Sequence, residues 1–494
     1  MIPSQQCDLA IIGGGPAGIA AAIVAHRLDL DVCLVDEQHR FGGQIYRQPP
    51  REFQVGNWLS GAGYQRAKAQ IREVEQLAAL RHIAPATAWA CFPSSGDARE
   101  GFRHDVLYHN DTALGRVRAR HVLIASGCYE APVPFPGWQL PGVMSAGGIQ
   151  TLLKSQRVAA GRSIFLAGSH PLLLVAAQQL TAAGVRIAGI ALMQPVTTAW
   201  HLARSPRAMW TGSGHLFGTL RTLIELRRRG VPVWFGHAVI EALGTREIEG
   251  VRLRDLASAR EVEIACDALG VCYGFLPSSE LARQAGAEHF WAPEGGWVTR
   301  CDEYMRSSVP GISVAGELTG VAGAQAAALS GEIAGLGVTR DLGRLTASQS
   351  DARMLPLRKR WMRLRRFATV LAHIAAPAPQ LLASLAQRPA VLCRCEDITV
   401  GALEDAVARN VDLLSASTAK LATRAGMGFC QGRMCELSVR RILARHRNCR
   451  LDEVPGFVIR PPIKPVPLSL LAELPGALGI DPDSLTRDPR GVHP

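Results

Sequence analysis

The sequence predicts an α/β chain of two dinucleotide-binding domains, one inserted in the other, followed by a small helical domain built around four cysteines. Three observations predict it. A strand, a glycine turn and a helix open the chain from Cys7 in "CDLAIIGGGPAGIAAAIVAHRL". The same order restarts after residue 160 in "RSIFLAGSHPLLLVAAQQLTAAGVRIAGIAL". From about residue 298, "SVPGISVAGELTGVAGAQAAALSGEIAGL" supplies a strand ending in glycine and a small-residue helix. Two beginnings and one late return are the pattern of a domain inserted between the halves of a Rossmann-like fold.

The elements justify themselves in order. Residues 7–12 form an apolar strand, and Gly13-x-Gly15-x-x-Gly18 joins it to the helix. The first glycine permits the tight turn, the second admits backbone to a pyrophosphate, and the third lets helix pack on strand. Phosphates then meet the free N–H groups of the helix N-terminus, which begins here at Pro16 and Ala17. "DVCLVDE" is the second strand, and Asp36 ends it 18 residues after Gly18. A carboxylate there accepts from ribose hydroxyls, with Glu37 in reserve. "HVLIASG" (121–127) is a further strand, running into a Pro-rich stretch that ends at Pro141. The second glycine turn is damaged: Gly168 holds its first position, but His170 and Leu173 hold the second and third. A side chain at the second position blocks pyrophosphate, so His170 is expected to be a packing residue and NAD(P)H is not expected here.

The boundaries drawn are 1–150 and 296–345 for the two parts of the first domain and 151–295 for the inserted one. Linker helices take 346–388, the cysteine domain 389–450, and a proline-rich arm 451–494. The linker opens with the basic "RMLPLRKRWMRLRRF" (353–367). Its follower, "ATVLAHIAAPAPQLLASLAQ", lacks Lys, Arg, Asp and Glu, but His373, Pro377 and Pro379 interrupt it, which argues against a membrane span. It suits packing on the chain's own core or an interfacial role, so any membrane contact is expected to be peripheral. The arm is suited either to wrapping a partner or to folding back on its own chain.

Composition narrows the function. The net charge of +12 comes with no nucleic-acid motif, so nucleic acid is not expected as a partner. Twelve cysteines in 494 residues are too dilute for a secreted disulfide scaffold. No basic n-region or cleavage site precedes Cys7, and a cytoplasmic location is expected, with contact at the inner membrane face at most. In that reducing setting Cys393-x-Cys395 and Cys430-x4-Cys435 read as a metal site, with two disulfides as the plainer alternative. Zinc sites usually use C-x2-C spacing, which makes zinc the second choice of metal.

"GGGPAGIAAA", "FGGQIYR" (41–47), "LIASG" and "SVAGELTG" together resemble the two-dinucleotide-domain flavoproteins that include glutathione and thioredoxin reductases. The resemblance implies FAD at the first site. It places Gly43 and Gln44, Ser126 and Gly127, and the Gly316–Glu317 pair around that flavin beside the first turn. The disulfide-reductase branch needs a CxxC or CxxxxC pair beside the flavin; no such pair precedes Cys393, and Cys128 is expected to be a packing cysteine. Next to a flavin, a [2Fe–2S] cluster suits the four thiolates best, because a one-electron carrier complements a two-electron one.

"CRCEDIT" and "TRAGMGFCQGRMC" closely resemble the bacterioferritin-associated-ferredoxin-like [2Fe–2S] module. With "PVPFPGWQLPGVMSAGGIQ" (132–150), the chain is similar to the α or A/B-type subunits of opine oxidase, hydrogen cyanide synthase and D-hydroxyproline dehydrogenase. That resemblance implies an oxidoreductase acting on CH–NH or CH–NH2 groups. A separate flavoprotein β subunit would oxidise an amino acid, opine or imino acid. Further expectations are an interfacial FMN and a small γ subunit. This chain would relay electrons to a quinone or cytochrome. No acid–base pair for substrate chemistry is evident, so no catalytic residue is assigned.

Overall fold

The structure is a computed structural model that describes residues 4–53, 55, 64–94, 101–198, 206–292 and 295–472. Its first sheet runs, edge to edge, through Arg81–Ile83, Val32–Val35, Ser4–Ile12, Leu114–Ile124, His104–His109 and Thr87–Pro93. Leu114–Ile124 is shared. Its start pairs antiparallel with His104–His109, and its last three residues take the parallel return strand Ile312–Val314. Strand Ser4–Ile12 is buried along its second half, as the apolar run from Leu9 requires. Helix Pro16–His26 is almost wholly alanine, glycine and isoleucine and buries eight of its residues. It packs on Ala324–Asp341 so closely that a Cβ on Gly331 would overlap the Ala17 carbonyl.

The second sheet is parallel throughout, in the order Val233–Phe235, Arg186–Leu192, Ser163–Gly168, Ala268–Cys272, Val143–Ser145. Helix Leu172–Ala182 covers one face. A three-stranded meander of His237–Leu243, Gly250–Asp255 and Glu261–Ala265 closes the other, burying Val239 and Leu253 against Phe135, Trp138 and Phe165.

Two boundaries move. Because Val143–Ser145 is a strand of the second sheet, the inserted domain takes up residues before 151. Because Leu281, Ala282 and Ala287 lie in the core of the first sheet, the chain has returned to the first domain before 296. Gln284 fixes that return, with its side chain both accepting from Cys91 N–H at 2.7 Å and donating to Cys91 C=O at 3.0 Å. Both segments are too short to carry a helix or strand period, which is why the pattern of the sequence did not mark them.

The basic segment and the start of its apolar follower form one helix, Ala347–Ala375, opened by a capping box between Thr346 and Gln349. The shorter helix Pro379–Leu385 comes next, and Leu382 and Leu385 enter the core of the second domain. Of the apolar follower, Leu382 and Leu385 thus pack on the chain's own core, while most of its other side chains are half-buried or exposed. Among the described residues no single helix is long and apolar enough to cross a membrane.

The cysteine domain has a two-stranded ribbon, Val391–Cys393 with Ile398–Thr399, and helices Val400–Arg409, Ala416–Thr423 and Glu436–Arg447 around its own core. The arm folds back along the body as far as it is described; residues 473–494 lie outside the described residues. Phe457 joins the cysteine-domain core and Ile463 the core of the first sheet, while Leu470 packs with Trp89 and Leu107. In the structure, then, the arm is a strap on its own chain.

Candidate dinucleotide and iron–sulfur sites

The first glycine turn is built for close backbone approach. Gly13 has φ +108°, and a Cβ there would strike the Ala125 carbonyl at the end of the neighbouring strand. A Cβ on Gly18 would overlap the Gly13 carbonyl, so helix and strand touch without side chains between them. On Gly15 the case reverses. Its nearest neighbour in the Cβ direction is Gly43 Cα at 3.9 Å, which leaves room on the side where a pyrophosphate would lie. Gly127, at φ +74°, likewise faces open space. This is a cradle that side chains would fill.

Asp36 is buried at the base of the cradle. Its carboxylate accepts from the Gly14 N–H and, at 2.7 Å, from the Gln38 N–H. Burial pushes its pKa up to about 6 despite those bonds. Asp36 therefore braces the turn, and each oxygen keeps a lone pair for a ribose hydroxyl. Glu37 points elsewhere, pairing with Lys464 of the arm at 3.1 Å. The Gln44 side chain donates to the Cys128 carbonyl at 3.3 Å, and Ser126 Oγ to the Ser278 carbonyl at 2.7 Å. These bonds tie the two loops of the cradle to each other and to residues 275–279.

Gly316, at φ +76°, donates its N–H to Ser330 Oγ at 2.8 Å and approaches Ala17. The Glu317 carboxylate accepts from Ala322 N–H at 2.7 Å and Gly323 N–H at 3.1 Å. Burial still pushes its pKa up to about 7. Gly13, Gly15, Pro16, Ala17, Gly18, Asp36, Gly43, Gln44, Ser126, Gly127, Gly316 and Glu317 thus border one cradle, and Glu37 stands at its rim.

Sequence reasoning missed the floor beside it. Half-buried Cys128 and Glu130 and buried Cys272 form a group within electrostatic reach of Glu317. Burial raises both thiols far above the ordinary value and raises Glu130 as well, against the hydrogen bonds that it accepts. Glu130 accepts from the Gly147 N–H at 2.9 Å, at the start of the second domain's first helix. The signal was the acid in "SGCYE", three residues past the end of "HVLIASG", easily passed over because it carries no motif.

The second turn is plugged. His170 Nδ1 accepts from the Leu172 N–H at 3.1 Å, and its ring meets Phe275 edge-on at 4.9 Å. Burial pushes its pKa down to about 4, which keeps it neutral. Leu173 is fully buried in the core of the second domain. The imidazole is bonded and packed, as a filler would be.

The four cysteines fall into two neighbouring pairs, Cys393 with Cys435 and Cys395 with Cys430, and among the described residues no three of them gather tightly enough to grip a single ion. The bond from Cys435, ahead of backbone N–H donors at Gly426, Glu396 and Cys395, pulls the Cys393 pKa down to about 5, towards the thiolate that metals bind. Glycines make the approach possible: a Cβ on Gly428 would overlap Cys395, and Cβ atoms on Gly426 or Gly432 would overlap the Phe457 ring that closes the loop. A zinc ion needs four donors at one point. Two pairs suit two irons, each taking two thiolates, so the donor set fits a [2Fe–2S] cluster. The pairs also join the two cysteine motifs across the domain, which spacing in the sequence did not reveal.

Comparison with known proteins agrees with this arrangement. Residues 7–331 match the pyridine nucleotide-disulphide oxidoreductase family, and residues 391–445 match the BFD-like [2Fe–2S] binding domain. The chain is 35% identical over 477 residues to hydrogen cyanide synthase subunit HcnB of Pseudomonas aeruginosa, covering 94% of this chain and 98% of that protein. It is 33% identical over 472 residues to an opine oxidase subunit of Rhizobium meliloti, covering 95% and 88%. Among solved structures, L-proline dehydrogenase from P. horikoshii shares the fold at TM-score 0.69 and 21% identity, over 95% of this chain and 80% of that one. With both domains matched and relatives aligned along nearly its whole length, the chain belongs to the pyridine nucleotide-disulphide oxidoreductase family, as an A/B-type subunit of its flavin and [2Fe–2S] amine-oxidase branch.

Proposed function

We propose that this chain is the electron-relay subunit of a heteromeric dehydrogenase that oxidises the C–N bond of an amino acid, opine or imino acid. One observation carries the proposal: an open first cradle stands beside a second turn filled by His170, on a chain that also holds four paired thiols. Electrons then enter from a partner flavoprotein rather than from a nicotinamide. The family's assembly from separate subunits supports that partner.

The residues have distinct tasks. Gly13 and Gly18 close the turn against its strands so that backbone at Gly15 and the helix start would meet the FAD pyrophosphate, Asp36 braces the turn and would meet the ribose, and Gly316 with Glu317 would border the flavin side. FAD, when bound, supplies the exchange between two-electron and one-electron chemistry. Cys393, Cys435, Cys395 and Cys430 hold the [2Fe–2S] cluster. The relay ends on a respiratory acceptor, a quinone or cytochrome, at the cytoplasmic face of the membrane. An FMN at the subunit interface and a small third subunit complete the proposed assembly.

The test is expression of the chain alone and with its flavoprotein partner, followed by dye reduction with opines, D- or L-imino acids and glycine. Only the pair should turn over. Anaerobically purified chain should carry about two irons and two acid-labile sulfides. Cys430→Ser should lose both and keep FAD, measured by iron analysis and flavin absorbance. Stoichiometric zinc without iron, or substrate turnover by the lone chain, would overturn the relay.

A further inference from the structure

The cysteine domain meets the first dinucleotide domain along a narrow cleft lined by Tyr129, Glu280, Arg283, Trp297, Arg433 and Glu436. The charges are matched across the join. Arg433 pairs with Glu280 at 3.2 Å, and the Trp297 indole N–H donates to Glu436 at 2.8 Å. Arg283 lies over the Trp297 ring at 4.9 Å, and the fully buried Arg440 lies over Trp291 at 3.8 Å and Trp297 at 4.6 Å.

What the join connects is specific. On one side Arg433 lies between the ligands Cys430 and Cys435, and Glu436 follows Cys435 directly. On the other side Tyr129 follows Cys128, whose carbonyl accepts from Gln44 and whose thiol lies within electrostatic reach of Glu317. Tyr129 is therefore one residue from the flavin cradle, and its phenol sits among Glu280, Glu436, Arg433 and Arg283. The other cysteine motif is clamped in the same way. Arg394, between Cys393 and Cys395, stacks on Trp138 at 4.0 Å, and the Trp138 N–H donates to the Val391 carbonyl at 2.5 Å. Each cysteine motif thus carries, between its ligands, an arginine pinned to the body. A joint that only held two domains together would have no need to place its matched charges there.

We propose that Tyr129, enclosed by the Trp297–Glu436 and Arg433–Glu280 pairs, is the contact that sets the electron-transfer separation between the first dinucleotide site and the cysteine cluster. This rests on the relay function above. With both groups bound, the two electrons of a reduced flavin would pass singly through the cluster to a one-electron acceptor such as ferricyanide, the flavin's protons going to water. Tunnelling falls off steeply with separation, so small losses of register at this joint slow the step while leaving both centres intact. Trp297, Glu436, Glu280 and Arg433 are positioning residues.

The experiment uses the full chain carrying both centres. Flavin is reduced photochemically in a single turnover, and flavin and cluster absorbance are followed separately. Glu436→Ala and Trp297→Phe should each slow cluster reduction at least tenfold, with flavin content, iron content and the cluster's electron paramagnetic resonance signal unchanged. Glu436→Gln keeps an acceptor for the indole N–H and should restore the native rate. Hydrogen exchange should rise in residues 295–299 and 430–440 of Glu436→Ala but not of Glu436→Gln. Should Glu436→Ala lose its cluster outright, Trp297→Phe carries the test from outside the cysteine domain. Native-rate cluster reduction in Trp297→Phe, with exchange showing the joint opened, would overturn the proposal. A native chain with no reducible flavin or no iron would overturn the relay function, and the proposal with it.

Discussion

The two glycine turns of this chain have the same backbone plan and opposite interiors. At Gly15 the turn leaves room towards Gly43, whereas at His170 the equivalent space holds an imidazole bonded to Leu172 and packed on Phe275. At Gly18 backbone touches backbone, whereas at Leu173 an isobutyl group is buried in the core. Both turns still end a parallel strand and start a helix. Strand and helix need only the first glycine, Gly168 at φ +144°, where a Cβ would overlap the Cys272 carbonyl. A nucleotide needs the other two. The fold of a dinucleotide domain and its binding are therefore separable at the level of single residues, and one molecule carries both outcomes.

The largest expected effect comes from making the first turn resemble the second. Gly15→Leu places a side chain in the open space beside Gly43, and it should abolish FAD binding while circular dichroism shows the fold retained. Bound flavin in that variant would mean that the cradle lies elsewhere. The reverse change is expected to gain nothing. His170→Gly should leave the flavin unreduced by NADH or NADPH, because Leu173 still separates helix from strand. Leu173→Ala should cost about 2–5 kcal/mol in chemical denaturation, as truncation of a fully buried leucine does, again with no nucleotide gained. Rapid flavin bleaching by either nucleotide in the native chain would erase the distinction between the turns.

The smallest effect is a difference in pH dependence. In the nucleotide-free chain Glu317 has a pKa raised from 4.5 to about 7. The folded state binds the extra proton across that window, so this group's contribution to stability falls as pH rises from 4.5 to 7. His170 has a pKa lowered from 6.5 to about 4, so the unfolded state binds the extra proton and its contribution rises with pH between 4 and 6.5. Glu317→Gln should gain on the native chain at pH 8 more than at pH 4.5. His170→Gln should gain on it at pH 4 more than at pH 7. Urea midpoints across pH read both.

Sequence pattern alone made the first turn, the damaged second turn and the cysteine motifs readable, because each depends on residue type at fixed local spacing. It could not supply what depends on contacts across the chain. The pairing of Cys393 with Cys435 and Cys395 with Cys430 joins loops more than thirty residues apart. Glu37, which local spacing offers as a reserve for Asp36, is held by Lys464, far along the chain. The strand Val143–Ser145 and the return at Leu281 are short segments placed by the sheets they join, with no period of their own. The arm left two choices open, since a proline-rich stretch has no preferred partner until one is in reach.

The seat of that arm has a consequence for how the chain behaves when damaged. Thr87–Pro93 is the last strand of the first sheet, and an uncovered last strand is a template on which other chains can add. Here the Ile463 N–H donates to the Trp89 carbonyl at 2.9 Å, and Leu470 lies over Trp89 and Ala90. The same arm begins on the cysteine loops, through Phe457 against Gly426 and Gly432. A chain clipped after Leu451 would lose its cover and its latch together, so aggregation, rather than simple loss of activity, is the failure that light scattering should detect first.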